Sequence, residues 1–76
     1  MIASKILDLR GTRCPLNYVK TRLQLERMGI GEQLEVWLDH GEPEAQVPRS
    51  LRMDGQEVGI LEPGESWARV EVRRLA

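Results

Sequence analysis

Two stretches of strict two-residue alternation constrain this chain most. In Gln33 to Asp39, Leu34, Val36 and Leu38 alternate with Glu35 and Trp37. In Ser66 to Arg74, Ala68, Val70 and Val72 alternate with Trp67, Arg69, Glu71 and Arg73. Successive side chains of a strand point to opposite faces, so each stretch reads as a strand with one face buried and one open. Such strands build a sheet covered on one side only. Any helices must then share the covered side.

The segments between these strands supply the helices. Pro15 to Met28 reads as a helix stopped by Gly29 and Gly31, and Glu42 to Met53 as a second one ending at Asp54-Gly55. Pro43 suits a first turn. Pro48 does not suit a helix interior, so a kink is expected there, or a regular helix starting only near Val47. Ile6 to Arg10 and Glu57 to Leu61 read as two more strands, with Val58 and Ile60 inward in the latter. Glu62-Pro63-Gly64-Glu65 reads as a hairpin turn. The order is β-α-β-α-β-β. The first strand–helix–strand unit implies parallel strands joined by a right-handed crossover. The fold class is therefore an α/β (α+β) two-layer sandwich: a four-stranded mixed sheet with both helices on one face.

At 76 residues the chain is one domain, residues 1–76. It has no phenylalanine, so aliphatic side chains must fill the core. A formal charge of -1 argues against a DNA-binding protein. The single cysteine excludes an internal disulfide. Met1 to Lys5 lacks the pattern of a signal peptide, and no apolar run is long enough to span a bilayer. A cytoplasmic protein with a free thiol and no membrane contact is the expectation.

That cysteine, Cys14, precedes Pro15. Proline suits the first position of a helix, which places Cys14 at the expected N-cap. Free backbone N–H groups and the helix dipole favour an anion there. Thiolate is the reactive form of cysteine, and nearby cations stabilise it. Arg10 and Arg13 supply that charge. The same residue type is also common as an inert small hydrophobe.

Parallel first and second strands put the Cys14 loop beside the turn holding Asp39 and His40. His40 is thus either a general base for Cys14 or a solvated turn residue. One cysteine, one histidine and scattered carboxylates do not make a structural zinc pattern, and there is no glycine-rich phosphate loop. No metal or cofactor is expected. On the first helix, Tyr18, Thr21, Leu25 and Met28 share one face. Leu16, Val19 and Leu23 lie nearly opposite, either packed on the second helix or forming a partner surface beside Cys14. Trp37 and Trp67 fall on the open sheet face. There they either pack on arginine stems or form a docking patch. A weaker third reading is single-stranded RNA stacking on Trp37 and Trp67 with Arg69 and Arg73.

Leu7-Asp8-Leu9-Arg10-Gly11-Thr12-Arg13-Cys14-Pro15 resembles the N-terminal signature of the TusA/SirA family of small sulfur-transfer proteins. Met28-Gly29-Ile30-Gly31-Glu32 resembles the family's helix end. Asp39-His40 through Val47-Pro48 resembles its acidic loop and the proline of its second helix. The resemblance implies the β-α-β-α-β-β sandwich. It implies that Cys14 carries sulfur as a persulfide between a donor protein, of cysteine desulfurase or rhodanese type, and an acceptor protein. Activity of the sulfurtransferase type follows from it, in a sulfur relay toward tRNA thiolation, molybdenum-cofactor maturation or sulfur oxidation. One departure stands out: the family motif is Cys-Pro-x-Pro, and Asn17 occupies the second proline position. Asparagine there could hydrogen-bond near the thiol or cap the turn. Arg10, Arg13, Pro15 and Asn17 are the supporting residues implied. The alternative function is a non-catalytic regulatory or interaction module of the same fold.

Overall fold

The computed structural model describes residues 5–61 and 66–76. Its elements are β1 (Lys5–Asp8), α1 (Leu16–Glu26), β2 (Gln33–Asp39), α2 (Glu42–Met53), β3 (Glu57–Ile60) and β4 (Trp67–Arg73). They form one four-stranded sheet in the order β1-β2-β4-β3. β1 runs parallel to β2, while β4 is antiparallel to both β2 and β3. The expected mixed sheet under two helices is what the chain builds. The hairpin turn expected at Glu62 to Glu65 lies outside the described residues.

The two alternating stretches are the central strands. Leu34, Val36, Leu38, Val70 and Val72 are fully buried and meet Leu25 and Met28 from the α1 segment and Val47 and Leu51 from α2. Register locks this arrangement: Val36 opposes Val70, and Leu34 opposes Val72. A one-residue slip would turn the whole apolar set to water. The other face carries Glu35, Trp37, Arg69 and Glu71. Glu35 is its electrostatic centre. It accepts from Arg69 Nε (3.0 Å) and Arg69 Nη2 (3.2 Å) and from Trp37 Nε1 (2.6 Å). Arg69 first, then Trp37, holds the Glu35 carboxyl below its ordinary value. A lowered folded value stabilises above the unfolded value of about 4.3 and stops contributing as pH falls through the folded one. Glu35→Gln is therefore expected to cost about 1–2 kcal/mol at neutral pH. The difference from wild type should close in acid, as read by urea unfolding across pH.

Three expectations need correction. α2 has the expected bounds, Glu42 to Met53, but it runs unbroken through Pro48, so the regular helix does not wait for Val47. Gly41, at φ +95°, turns the chain into it, and Glu44 Oε1 accepts the Gly41 N–H at 2.8 Å. That satisfies one free amide and starts the helix early. Ile60 shares the inward face with its partner Val70 but is left 65% exposed there, because β3 is a short edge strand. Leu16, Val19 and Leu23 do not pack on α2. They are 55%, 40% and 54% exposed, and α1 buries Asn17, Thr21 and Leu25 instead.

Candidate functional site at Cys14

β1 ends at Asp8, and Leu9 continues along β2 by donating its N–H to the Trp37 carbonyl at 2.9 Å. The chain then leaves the sheet. Gly11 takes φ +80°, a conformation that L side chains rarely adopt. The exposed Cys14 follows at the rim of the sheet. The Cys14–Pro15 peptide bond is cis. The N-cap of α1 is Pro15, not Cys14, and no side chain caps it. The expected cap position of the thiol is thus corrected by one residue: the Pro15 carbonyl is the first helical acceptor, bonded by the Val19 N–H, while the Asn17 N–H closes the preceding turn onto the Arg13 carbonyl.

Cys14 borders an open hollow of about 420 Å³, formed by the loop from Gly11 to Cys14 with Asp39, Glu42 and Pro43. Parallel pairing of β1 and β2 brings these loops together, as the sequence implies. A direct tie joins them: Gly11 N–H donates to Asp39 Oδ2 at 2.8 Å. Arg13 lines the hollow, with Asp39 and Glu42 as the opposing charges. Such a shape admits a protruding group from a partner rather than enclosing a small molecule.

The other candidates separate. His40 is turned to the following helix α2, with Nδ1 3.3 Å from Glu44 Oε1, and it does not line the hollow. The Gly41 amide first, and then His40, keeps the Glu44 carboxyl below its ordinary value. A Cys14–His40 pair is not what the fold presents. Arg10 is engaged on the open sheet face. Its Nε and Nη2 donate to the two oxygens of Asp8 at 2.9 and 2.7 Å. Its guanidinium lies 4.8 Å from the ring centroids of both Trp37 and Trp67. The indoles are half-buried, 5.6 Å apart and tilted by 40°. Arg69 is bound to Glu35 and Arg73 lies 3.6 Å from Glu57, so the arginines offered for RNA phosphates already face carboxylates.

Asn17 is fully buried. Its Oδ1 accepts the Tyr18 N–H at 2.7 Å, so it serves the first turn. Its Nδ2 has no partner, the thiol included, among the described residues. Thr21 Oγ1 then donates to the Asn17 carbonyl at 2.9 Å. Among the described residues no cluster of His, Cys, Asp and Glu could hold a metal ion. No helix there is long and apolar enough to cross a membrane. The sequence places the turn from Asp39 to Glu42 beside Cys14, but it does not single out Thr12 and Pro43 for the site. Only the adjacency of the β1 and β2 loops could have pointed to them.

The chain is similar to known proteins in sequence and in structure. The profile of the sulfurtransferase TusA family matches residues 5–74. A candidate sulfur carrier protein of Archaeoglobus fulgidus is 45% identical over 60 residues, covering 79% of this chain and 68% of that protein. A candidate sulfur carrier protein of Thermotoga maritima is 37% identical over 71 residues, covering 92% of this chain and 90% of that one. In structure, a SirA-like protein from Desulfitobacterium hafniense superposes with a TM-score of 0.81 at 18% identity, covering 95% of this chain and 99% of that chain. The latter likeness speaks for the fold.

Proposed function

Because the chain belongs to the TusA sulfurtransferase family, we propose that it is a sulfur carrier in which Cys14 takes a sulfur atom from a donor protein's persulfide and hands it to an acceptor. The observation that carries this reading is the exposed thiol at the rim of an open hollow. The Cys14 thiolate attacks the terminal sulfur of the donor persulfide. The donor's sulfur–sulfur bond breaks as the new one forms, and the donor cysteine leaves as a thiolate. The sulfur keeps its oxidation level, so no external oxidant is needed, and the step parallels thiol–disulfide exchange. Transfer to the acceptor repeats it with the roles reversed. Arg13 supports the anion at the hollow, and Pro15 and Asn17 shape the start of α1 behind it. Donors of the cysteine desulfurase and rhodanese types both fit this chemistry.

Partners must reach Cys14 across its surroundings. Leu16, Val19 and Leu23 begin two residues past the thiol and stay exposed, so they form the surface a partner would cover. An aspartate at Leu23 is expected to slow loading at limiting donor by roughly tenfold, as for a buried interface anchor. The melting temperature should hold, because the side chain faces water.

The test of the reading is intact mass after incubation with a cysteine desulfurase and cysteine, repeated with a rhodanese-type donor. A gain of one sulfur atom that reductant removes is the expected result. No gain from either donor would turn the assignment to the interaction module.

A further inference from the structure

The loop shapes itself in part: Gly11 turns it at positive φ, and the Thr12 N–H donates to the Leu9 carbonyl at 3.0 Å. Gly11 is exposed and at positive φ, and a side chain added there would meet nothing within 4 Å. It is also held from outside, at two adjacent residues. Arg10 is laid over Trp37 and Trp67 and bonded to both oxygens of Asp8. Gly11 N–H reaches Asp39 Oδ2 across 28 positions of sequence. Asp39 is the last residue of β2, half-buried and paired with Trp67 of β4, so it sits at the end of a central strand pair.

A carboxylate in the wall of a thiolate's hollow is a poor choice on charge alone, since like charges repel. Two features offset it. One Asp39 oxygen is occupied by the Gly11 amide, and attraction to Asp39 is among the causes that raise the Arg10 pKa, after its hydrogen bond to Asp8. We propose that Asp39 is a positioning residue for Cys14: it pins the thiol loop to the sheet through the Gly11 amide, with Arg10 on the indole pair as the brace. The role of Trp37 and Trp67 follows. They anchor the loop from the open face, which explains why two tryptophans there are covered by an arginine of the thiol segment.

The proposal rests on the carrier reading for its purpose but not for its geometry, and the experiment separates the two. Asp39→Asn and Asp39→Ala are compared in the full chain. Asparagine keeps an oxygen for the Gly11 N–H and removes the charge; alanine removes both. In the alanine variant, amide hydrogen exchange at Gly11 is expected to accelerate by roughly tenfold, and in the asparagine variant to stay within about threefold of wild type, the difference one net hydrogen bond makes. The Cys14 Cβ resonance should move in the alanine variant and return in the asparagine one. The sulfur-loading rate should follow the same order, while the final extent stays at one sulfur. Loading by Asp39→Ala at the wild-type rate would overturn the proposal, as would an asparagine variant as impaired as the alanine one. Should the alanine variant not fold, Asp39→Asn decides alone: retained loading and Gly11 protection support the pin, and loss of either overturns it. A wild-type chain that takes up no sulfur removes the carrier reading. The Gly11 exchange and the Cys14 resonance then still decide the positioning.

Discussion

Cys14→Ser is expected to take up no sulfur from any donor while folding like the wild type. The loss is complete because the step needs a sulfur nucleophile that can hold a second sulfur. A serine hydroxyl stays protonated at neutral pH and forms no bond equivalent to a persulfide. The fold should not notice the change. The thiol is exposed, contributes nothing to the buried core, and differs from a hydroxyl by little volume. Intact mass after donor treatment reads the first half of this expectation, and a urea titration the second. A serine variant that still gained reductant-labile sulfur would place the reactive group elsewhere. This is the only cysteine of the chain, so no second thiol can substitute for it.

Leu38→Ala is expected to have the largest effect on stability. Leu38 is fully buried on the central strand β2, where its side chain helps to fill the space between the sheet and the helices. Removing a buried leucine side chain to alanine costs about 2–5 kcal/mol, from lost transfer energy and the cavity left behind. A domain of this size lies toward the low end of the usual 5–15 kcal/mol. The variant should therefore lose a large share of its stability. The denaturation midpoint should fall with little change in slope. Because the core contains no phenylalanine and its side chains are compact aliphatics, few large neighbours can relax into the gap. A shift below about 1 kcal/mol would mean that the helices close onto the sheet more freely than their packing implies.

How much of this was legible beforehand follows from the range of the forces involved. The covered face of the sheet was readable residue by residue, because period-two alternation is local and Leu34, Val36 and Leu38 obey it without exception. The second helix was readable at both ends. That it is regular from Glu42 on rather than from near Val47 was not, because this depends on Gly41 adopting positive φ and on Glu44 reaching back to the Gly41 amide. The thiol's place one residue before the cap was missed for a similar reason. Proline at a helix start fits either the cap or the first turn, and pattern alone does not separate them. Arg10 was assigned to the thiolate on proximity in sequence. Two indoles from β2 and β4, distant in the chain, compete for the same guanidinium and take it to the other face.

The sequence by itself determined the element order, the one-sided sheet, the parallel pairing that brings the Cys14 and Asp39 loops together, and a lone thiol suited to sulfur chemistry. These follow from local periodicity, from the geometry of crossovers and from the chemistry of one side chain. Tertiary structure alone decided which charges lie beside that thiol. Arg13 stays at the hollow, Arg10 leaves it for Asp8 and the tryptophans, and His40 turns to Glu44. It also decided that the apolar stripe of α1 remains uncovered. Long polar side chains reach several ångströms and choose among partners that only the folded chain assembles, so their roles are not written in their neighbours.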